Sequence, residues 1–153
     1  MTKLGIISDT HKLLRPEAIE VLEGSDLIIH AGDIGNAEII EKLRTIAPVR
    51  AVRGNIDKSP WGDEFPYTEA FEFAGKCFYV LHIVQDLDLD PAAAGFDVVI
   101  SGHSHIPKIE TKNSVLYINP GSAGPRRFKL PISLATLQIS GDSLEAELHT
   151  LRV

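Results

Sequence analysis

Three stretches decide the fold: Lys3-Leu4-Gly5-Ile6-Ile7-Ser8-Asp9-Thr10-His11, Asp26-Leu27-Ile28-Ile29-His30-Ala31-Gly32-Asp33 and Val49-Arg50-Ala51-Val52-Arg53-Gly54-Asn55-Ile56-Asp57. Each is a short apolar run that gives way to a polar cluster, the pattern of a buried strand leaving the core. Helical signals separate them. Residues 16–23 open on Pro16, which a first turn tolerates, and end at Gly24. Asn36 is placed to cap a helix over 37–46, whose Ile39, Ile40, Leu43 and Ile46 share one face, and Pro48 separates it from the third strand, 49–53. This β-α-β-α-β series predicts a parallel sheet with right-handed crossovers.

Downstream, Pro60, Gly62 and Pro66 mark 58–66 as an irregular loop. Strands are predicted at 69–74, 76–82 and 97–101, and a helix over 86–95. Hairpins are predicted to pair 107–112 with 115–119, and 132–139 with 143–151 across Ser140-Gly141-Asp142. The simplest architecture is a single α/β domain over 1–153, in which a parallel half and a mostly antiparallel half pack as two sheets.

The chain has 153 residues, 44% hydrophobic and 24% charged, with a formal charge of -6 from 21 acidic and 15 basic side chains. A chain of this length buries roughly 68–70% of its unfolded surface, enough for a core without disulfides. No apolar run approaches the ~18 residues of a membrane helix. The single Cys77 forms neither an internal disulfide nor a multi-cysteine zinc site. These readings predict a cytoplasmic domain with no membrane partner, and the acidic balance argues against a grip on long nucleic acid.

The polar residues fall where parallel sheets bind ligands, at the carboxyl ends of strands. Asp9, His11, Asp33 and Asn55 follow the first three strands. Later, 78–81 ends in His82, 98–101 in Gly102-His103-Ser104-His105, and 115–118 in Asn119-Pro120-Gly121-Ser122. Asp9 and His11, like His103 and His105, are spaced to share one face of an extended segment. Imidazole, carboxylate and amide donors suit Zn, Mn, Fe or Ni. Seven candidates exceed the needs of one tetrahedral ion, so two ions sharing a carboxylate is the economical reading.

Singly, each piece has a structural explanation: Asp-x-His as a self-capping turn, His82 as a satisfied core residue. Coincidence of position favours the ligand reading. His30 and His149 lack that context and read as structural. There is no G-x-x-x-x-G-K-[ST] loop, no G-x-G-x-x-G after the first strand and no G-x-S-x-G elbow around Ser104. Gly121-Ser122-Ala123-Gly124-Pro125-Arg126-Arg127 reads either as an anion cradle with arginines supplying charge, or as a tight surface loop.

Taken in order, Ser8-Asp9-Thr10-His11, Gly32-Asp33, Gly54-Asn55-Ile56-Asp57, Gly102-His103-Ser104-His105 and Asn119-Pro120-Gly121-Ser122 resemble the calcineurin-like metallophosphoesterases. The likeness is to the small single-domain branch of bacterial and archaeal phosphodiesterases that also contains the retromer subunit Vps29. It implies a four-layer α/β/β/α sandwich of two mixed sheets, the metallo-dependent phosphatase fold. It implies further that Asp9, His11 and His105 hold one divalent ion and Asn55, His82 and His103 a second, with Asp33 bridging. Mn or Ni are the metals expected first, with Zn, Fe and Mg as alternatives. The implied reaction is hydrolysis of a phosphodiester, or a phosphomonoester, by a metal-bridging hydroxide, with Asp33, Asn55 and His82 closest to the chemistry. Asn55 can also bind a phosphate oxygen. Gly121 and Arg126 are the expected further substrate contacts.

Two departures stand out. Many members carry a His after the Gly-Asn pair, where it protonates the leaving group; here the residue is Ile56, and Asp57 lacks an imidazole to orient. Small-branch members often read Thr-His-Gly-His where this chain has Leu81-His82-Ile83-Val84. Both changes make the mouth of the site more apolar. The resemblance thus supports two expectations: a phosphoesterase for small phosphate esters, best with good leaving groups such as aryl phosphodiesters, or a metal-stabilised interaction scaffold of the Vps29 type. A homo-oligomer is compatible with both. Trp61, Phe65 and Tyr67, in or beside 58–66, offer a substrate wall, a subunit contact or a loop pinned to the domain.

Overall fold

The structure, a computed structural model, describes residues 1–153 throughout. The predicted opening series is present as β1 (Thr2–Ile7), α1 (Pro16–Leu22), β2 (Leu27–His30), α2 (Ala37–Arg44) and β3 (Val49–Ala51). β1 pairs with β2, and β2 with β3, in parallel. Asn36 caps α2, its side-chain oxygen accepting the Ile39 N–H at 3.3 Å.

The remaining strands are β4 (Thr68–Phe73), β5 (Lys76–Leu81), β6 (Val98–Ile100), β7 (Lys108–Lys112), β8 (Val115–Asn119), β9 (Ser133–Ser140) and β10 (Ser143–Thr150). They complete two five-stranded mixed sheets, ordered β10-β9-β1-β2-β3 and β4-β5-β6-β8-β7. The chain does not divide into a parallel half and an antiparallel half. β5, β6 and β8 are parallel in the centre of the second sheet, and the C-terminal hairpin joins the first sheet, with β9 antiparallel to β1. The reason lies in β9: six of its eight residues, Ser133 to Leu137 and Ile139, are buried. Only an interior strand covers both faces in this way. The alternating burial of β10 fits the edge beside it.

Leu4, Ile6, Leu27 and Ile29 meet Phe78, Val80, Val98, Ile100 and Ile118 between the sheets. The outer face of the first sheet lies under α1 and α2, which contribute Ala18, Leu22, Ile39, Ile40 and Leu43. The outer face of the second sheet carries no α-helix. The helix predicted over 86–95 is replaced by a 3-10 turn, Val84–Asp86, and a single turn after Asp90. The Asp90 carboxylate caps the N–H groups of Ala92 and Ala93, Pro91 has no N–H to give, and Gly95 takes a left-handed conformation that stops the turn. Leu87, Leu89 and Phe96 still cover that face, packing on Tyr79, Leu81, Val99 and Val115.

The loop at 58–66 is pinned to the domain. Phe65 is buried in the core beneath the helices, and Trp61 meets it edge-on at 5.9 Å. Tyr67 remains exposed, with the Arg53 guanidinium 4.2 Å from its ring centre.

Phe78 is the largest fully buried side chain between the sheets and stacks on Phe71 at 5.2 Å. Phe78→Ala is expected to lower unfolding free energy by about 3–5 kcal/mol in urea titration; a loss under about 1 kcal/mol would mean that the sheets do not close over this residue.

Candidate metal centre

Backbone hydrogen bonds stitch the strand ends together. The Asp9 N–H donates to Gly32 O (3.0 Å), His11 N–H to Asp33 O (3.0 Å), Gly102 N–H to His82 O (2.9 Å) and Ala123 N–H to Ser8 O (3.1 Å). The loops after β1, β2, β5, β6 and β8 therefore meet at one edge, with ligands offered from both sheets. The backbone there is strained. Asp9 (φ 57°), His11 (45°), Asp33 (56°), His103 (70°) and His105 (63°) are all left-handed, a state rare outside glycine and concentrated at functional sites.

Asp9 is fully buried. Its Oδ2 accepts the Ser8 hydroxyl (2.7 Å) and the His103 N–H (3.1 Å). Its Oδ1 has no hydrogen-bond partner and faces three imidazoles: His105 Nε2 at 3.5 Å, and His11 and His82 Nε2 at 3.9 Å each. Asp33 Oδ2 lies 3.4 Å from His11 Nε2 and 3.3 Å from His82 Nε2, while Asp33 Oδ1 accepts the Ile56 N–H at 3.2 Å. Glycine leaves room for this: a Cβ on Gly54 would overlap the Asp33 carboxylate.

These contacts test whether divalent ions fit. His82 Nδ1 lies 2.7 Å from the Ala31 carbonyl, which can only accept, so Nδ1 carries the proton. Neutral His82 then turns a bare Nε2 toward the Asp33 carboxylate, acceptor against acceptor. Asp9 Oδ1 and the Nε2 atoms of His11 and His82 are buried and unpartnered. Two clusters place one ligand atom from each residue within 4.8 Å of the others: Asp9, His11 and His105, and Asp9, Asp33 and His82. Ligands of one ion bound at ~2.0–2.2 Å lie within about 4.4 Å of each other, so the measured contacts fit shared cations. The carbonyl behind His82 is the outer partner expected of a ligating imidazole.

Without a cation, charge pairing takes its place. Burial opposes ionisation of Asp9, yet His105, His11, His82 and Ser8 hold its carboxyl well below the usual range. Burial likewise opposes protonation of His82, but Asp33 and Asp9 raise its pKa overall. Asp9 raises that of His11, against burial and with help from Asp33.

The structure thus gathers Asp9, His11, Asp33, His82 and His105. His103 and Asn55 sit at the exposed rim. The His103 ring meets that of His82 edge-on at 5.2 Å but joins neither donor cluster, and Asn55 precedes the residue that donates to Asp33. Asp9, and not only Asp33, reaches imidazoles of both clusters. Arg126 lines a cavity of about 250 Å³ with His11, His105, Pro125 and Arg127. The anion cradle at Gly121 is corrected. Gly121 is buried, and its N–H is committed to Asn119 Oδ1 at 2.9 Å, which makes it a structural turn.

Supporting residues were missed or misread in the sequence. Asp57 is buried and accepts three N–H groups, from Ile34 (3.0 Å), Gly35 (3.0 Å) and Gly54 (2.9 Å), tying the Asp33 loop to the Asn55 loop. It needs no imidazole to orient. His30 is structural as expected, but it too supports the site: Nδ1 accepts the Gly32 N–H, and the opposite nitrogen donates to Thr10 Oγ1, which donates to Ile34 O. Burial pushes the His30 pKa down to about 4. Ile56 is 38% exposed. Val84 borders a second cavity of about 370 Å³, beyond Ser104 and Ile106.

A two-sheet sandwich with imidazole and carboxylate donors crowded at one strand-end edge is a recognised class of metal-dependent hydrolase scaffold. The sequence profile of the calcineurin-like phosphoesterase superfamily domain matches residues 2–142, and the chain belongs to that family. It is 36% identical to a Methanothermobacter thermautotrophicus protein named "Probable metallophosphoesterase", covering 95% of this chain and 90% of that one. It is 30% identical to the Escherichia coli phosphodiesterase YfcE, covering 90% and 88%. In structure it is similar to Chaetomium thermophilum Vps29, with a TM-score of 0.85 at 19% identity over 99% of this chain and 90% of that one, a likeness of fold.

Asp57→Ala would strand three backbone donors, so a stability loss of at least about 2 kcal/mol is expected in urea titration, with Asp57→Asn milder. Stripped of metal by chelator, the chain should melt highest near pH 6.5. The raised pKa values of His11 and His82 give stability that is full below their unfolded value and lost as pH rises through the folded ones. The lowered pKa of His30 acts on the other side, because unfolded His30 takes up a proton below about 6.5 and folded His30 does so only near 4. A melting temperature that climbs steadily from pH 6 to 9 would contradict this.

Proposed function

We propose that this chain is a phosphodiesterase dependent on two divalent metal ions, acting on small phosphate esters in the cytoplasm. The observation that carries the reading is the set of buried, unpartnered donors, Asp9 Oδ1 and the Nε2 atoms of His11 and His82, aimed at one another from two sheets. Asp9, His11 and His105 would hold one ion, and Asp33, Asp9 and His82 the other, with His103 and Asn55 reaching in from the rim of the second. Mn or Ni are the ions proposed first, and Zn, Fe and Mg also suit these donors. Bound there, divalent ions supply Lewis acidity toward phosphate oxygens and lower the pKa of water.

The protein's own part is positioning. Asp33 and Asp9, held by backbone N–H groups and Ser8, present fixed negative charge that offsets the cations. The Asn55 amide, free of protein partners, can donate to a phosphate oxygen. Arg126 and Arg127 flank the His11 side, in the cavity they share with His11 and His105. No titratable side chain stands at 56 or 84, so the leaving alkoxide departs without a general acid from those positions, a contribution of ~10²–10⁴-fold where present. The activity therefore depends on leaving groups that are stable as anions. The family and the phosphodiesterase relative support this reading. The Vps29 likeness concerns the fold, and a scaffold alone gives no reason for bare donors at this density.

Purified without chelator and supplied with Mn, the chain is expected to hydrolyse bis(p-nitrophenyl) phosphate, with Asp33→Ala reducing kcat/KM by at least about 100-fold. Alkyl esters should be hydrolysed at least ~100-fold more slowly than aryl esters. Absence of turnover with any divalent metal would leave the scaffold reading in its place.

A further inference from the structure

The loop 125–130 combines three features that the proposed chemistry does not use up. First, Arg126 and Arg127 share their cavity with His11 and His105, and its volume of about 250 Å³ is below the ~300–1,000 Å³ of a whole small-molecule pocket. It has the size of a subsite for one group. Second, its cations are in no ion pair, and Arg126 donates only to the Leu130 carbonyl, at 3.4 Å. The Lys and Arg ion pairs of this chain involve Arg50, Arg53, Lys76, Lys108 and Lys112, whereas Lys12, Arg126, Arg127 and Lys129 have no carboxylate partner. Third, Phe128 is 89% exposed and left-handed (φ 53°), so it combines an unfavourable backbone with an aromatic ring that the core does not shelter.

Charge balance indicates what such a loop would bind. Two dications offset by Asp9 and Asp33 already exceed the single negative charge of a diester. Two more guanidinium groups are surplus unless the ligand carries a further anion. Guanidinium forks match phosphate oxygens in pairs, and an exposed aromatic ring is a stacking face for a base. The net charge of -6 confines this to small ligands.

We infer that the loop 125–130 is a substrate-recognition arm, with Arg126 and Arg127 taking a second phosphate and Phe128 stacking on an aromatic base. The preferred substrates are then small nucleotide phosphodiesters that carry a phosphate beyond the scissile one and a leaving group stable as an anion. This rests on the phosphodiesterase reading, and two measurements separate them. The Mn-loaded full chain is assayed on methyl p-nitrophenyl phosphate and on the p-nitrophenyl ester of thymidine 5′-phosphate, with and without a 3′-phosphate. The 3′-phosphate is expected to raise kcat/KM at least tenfold, Arg127→Gln to bring that ratio near one, and Phe128→Ala to remove the advantage of thymidine over methyl. Independently of turnover, calorimetry compares binding of thymidine 3′,5′-bisphosphate and thymidine 5′-monophosphate to wild type and Arg127→Gln. Tenfold tighter bisphosphate binding that Arg127→Gln abolishes supports the arm even if no ester is hydrolysed, in which case the phosphodiesterase reading alone falls. Equal kcat/KM for all three esters, or equal affinity for both nucleotides in a chain without turnover, overturns it.

Discussion

Asp9 Oδ1, buried at the end of β1 and facing three imidazoles without a hydrogen bond, sets the terms for the ligand edge. A carboxylate removed from water needs compensating charge, and here the compensation comes from side chains on three different loops. Each of those loops is held by hydrogen bonds to its neighbours, from the Asp9 N–H on Gly32 to the three donors on Asp57. The left-handed backbone at five of the candidate ligands is tolerated because this network overdetermines it. The unfavourable geometry and the unsatisfied polar atoms occupy the same small volume, and positive charge placed among them would satisfy the polar atoms.

Much of this was legible in the sequence because it depends on local periodicity. The apolar runs at 3–8, 26–31 and 49–53, the Asn36 cap and the hairpin turns reappear close to their expected positions. Strand-end position was sufficient to collect Asp9, His11, Asp33, His82 and His105. What could not be read was long-range. Nothing local distinguishes a C-terminal hairpin that joins its own sheet from one that crosses to β1, and the burial of β9 on both faces decides that only in three dimensions. The segment 86–95 failed as a helix because Pro91 falls in its interior, and the turn that Asp90 caps is ended at once by left-handed Gly95. Asp57 looked like a residue without its partner, although its partners are backbone N–H groups, which carry no side-chain signature. Gly121 looked like an anion cradle for the same reason: the Asn119 side chain that occupies its N–H leaves no trace in the pattern of small residues.

Charge shows a similar separation of scales. The formal value of -6 describes the chain as a whole, whereas the cavity beside His11 and His105 carries Arg126 and Arg127, neither of them in an ion pair. An acidic protein repels long polyanions in bulk and can still be locally positive over the few ångströms that matter to one phosphate.

Asp9, His11 and Asp33 leave the first sheet, whereas His82 and His105 leave the second. Any ion that binds both groups is therefore a transverse brace between two layers otherwise joined at that end by hydrogen bonds and apolar packing. Its removal would loosen the sandwich from one side only, like a hinge whose pin has been drawn, leaving the opposite edge closed. Occupancy of such a centre would then be coupled to the rigidity of the strand-end loops, and hydrogen exchange in residues 8–11, 32–35 and 102–105 would report on both.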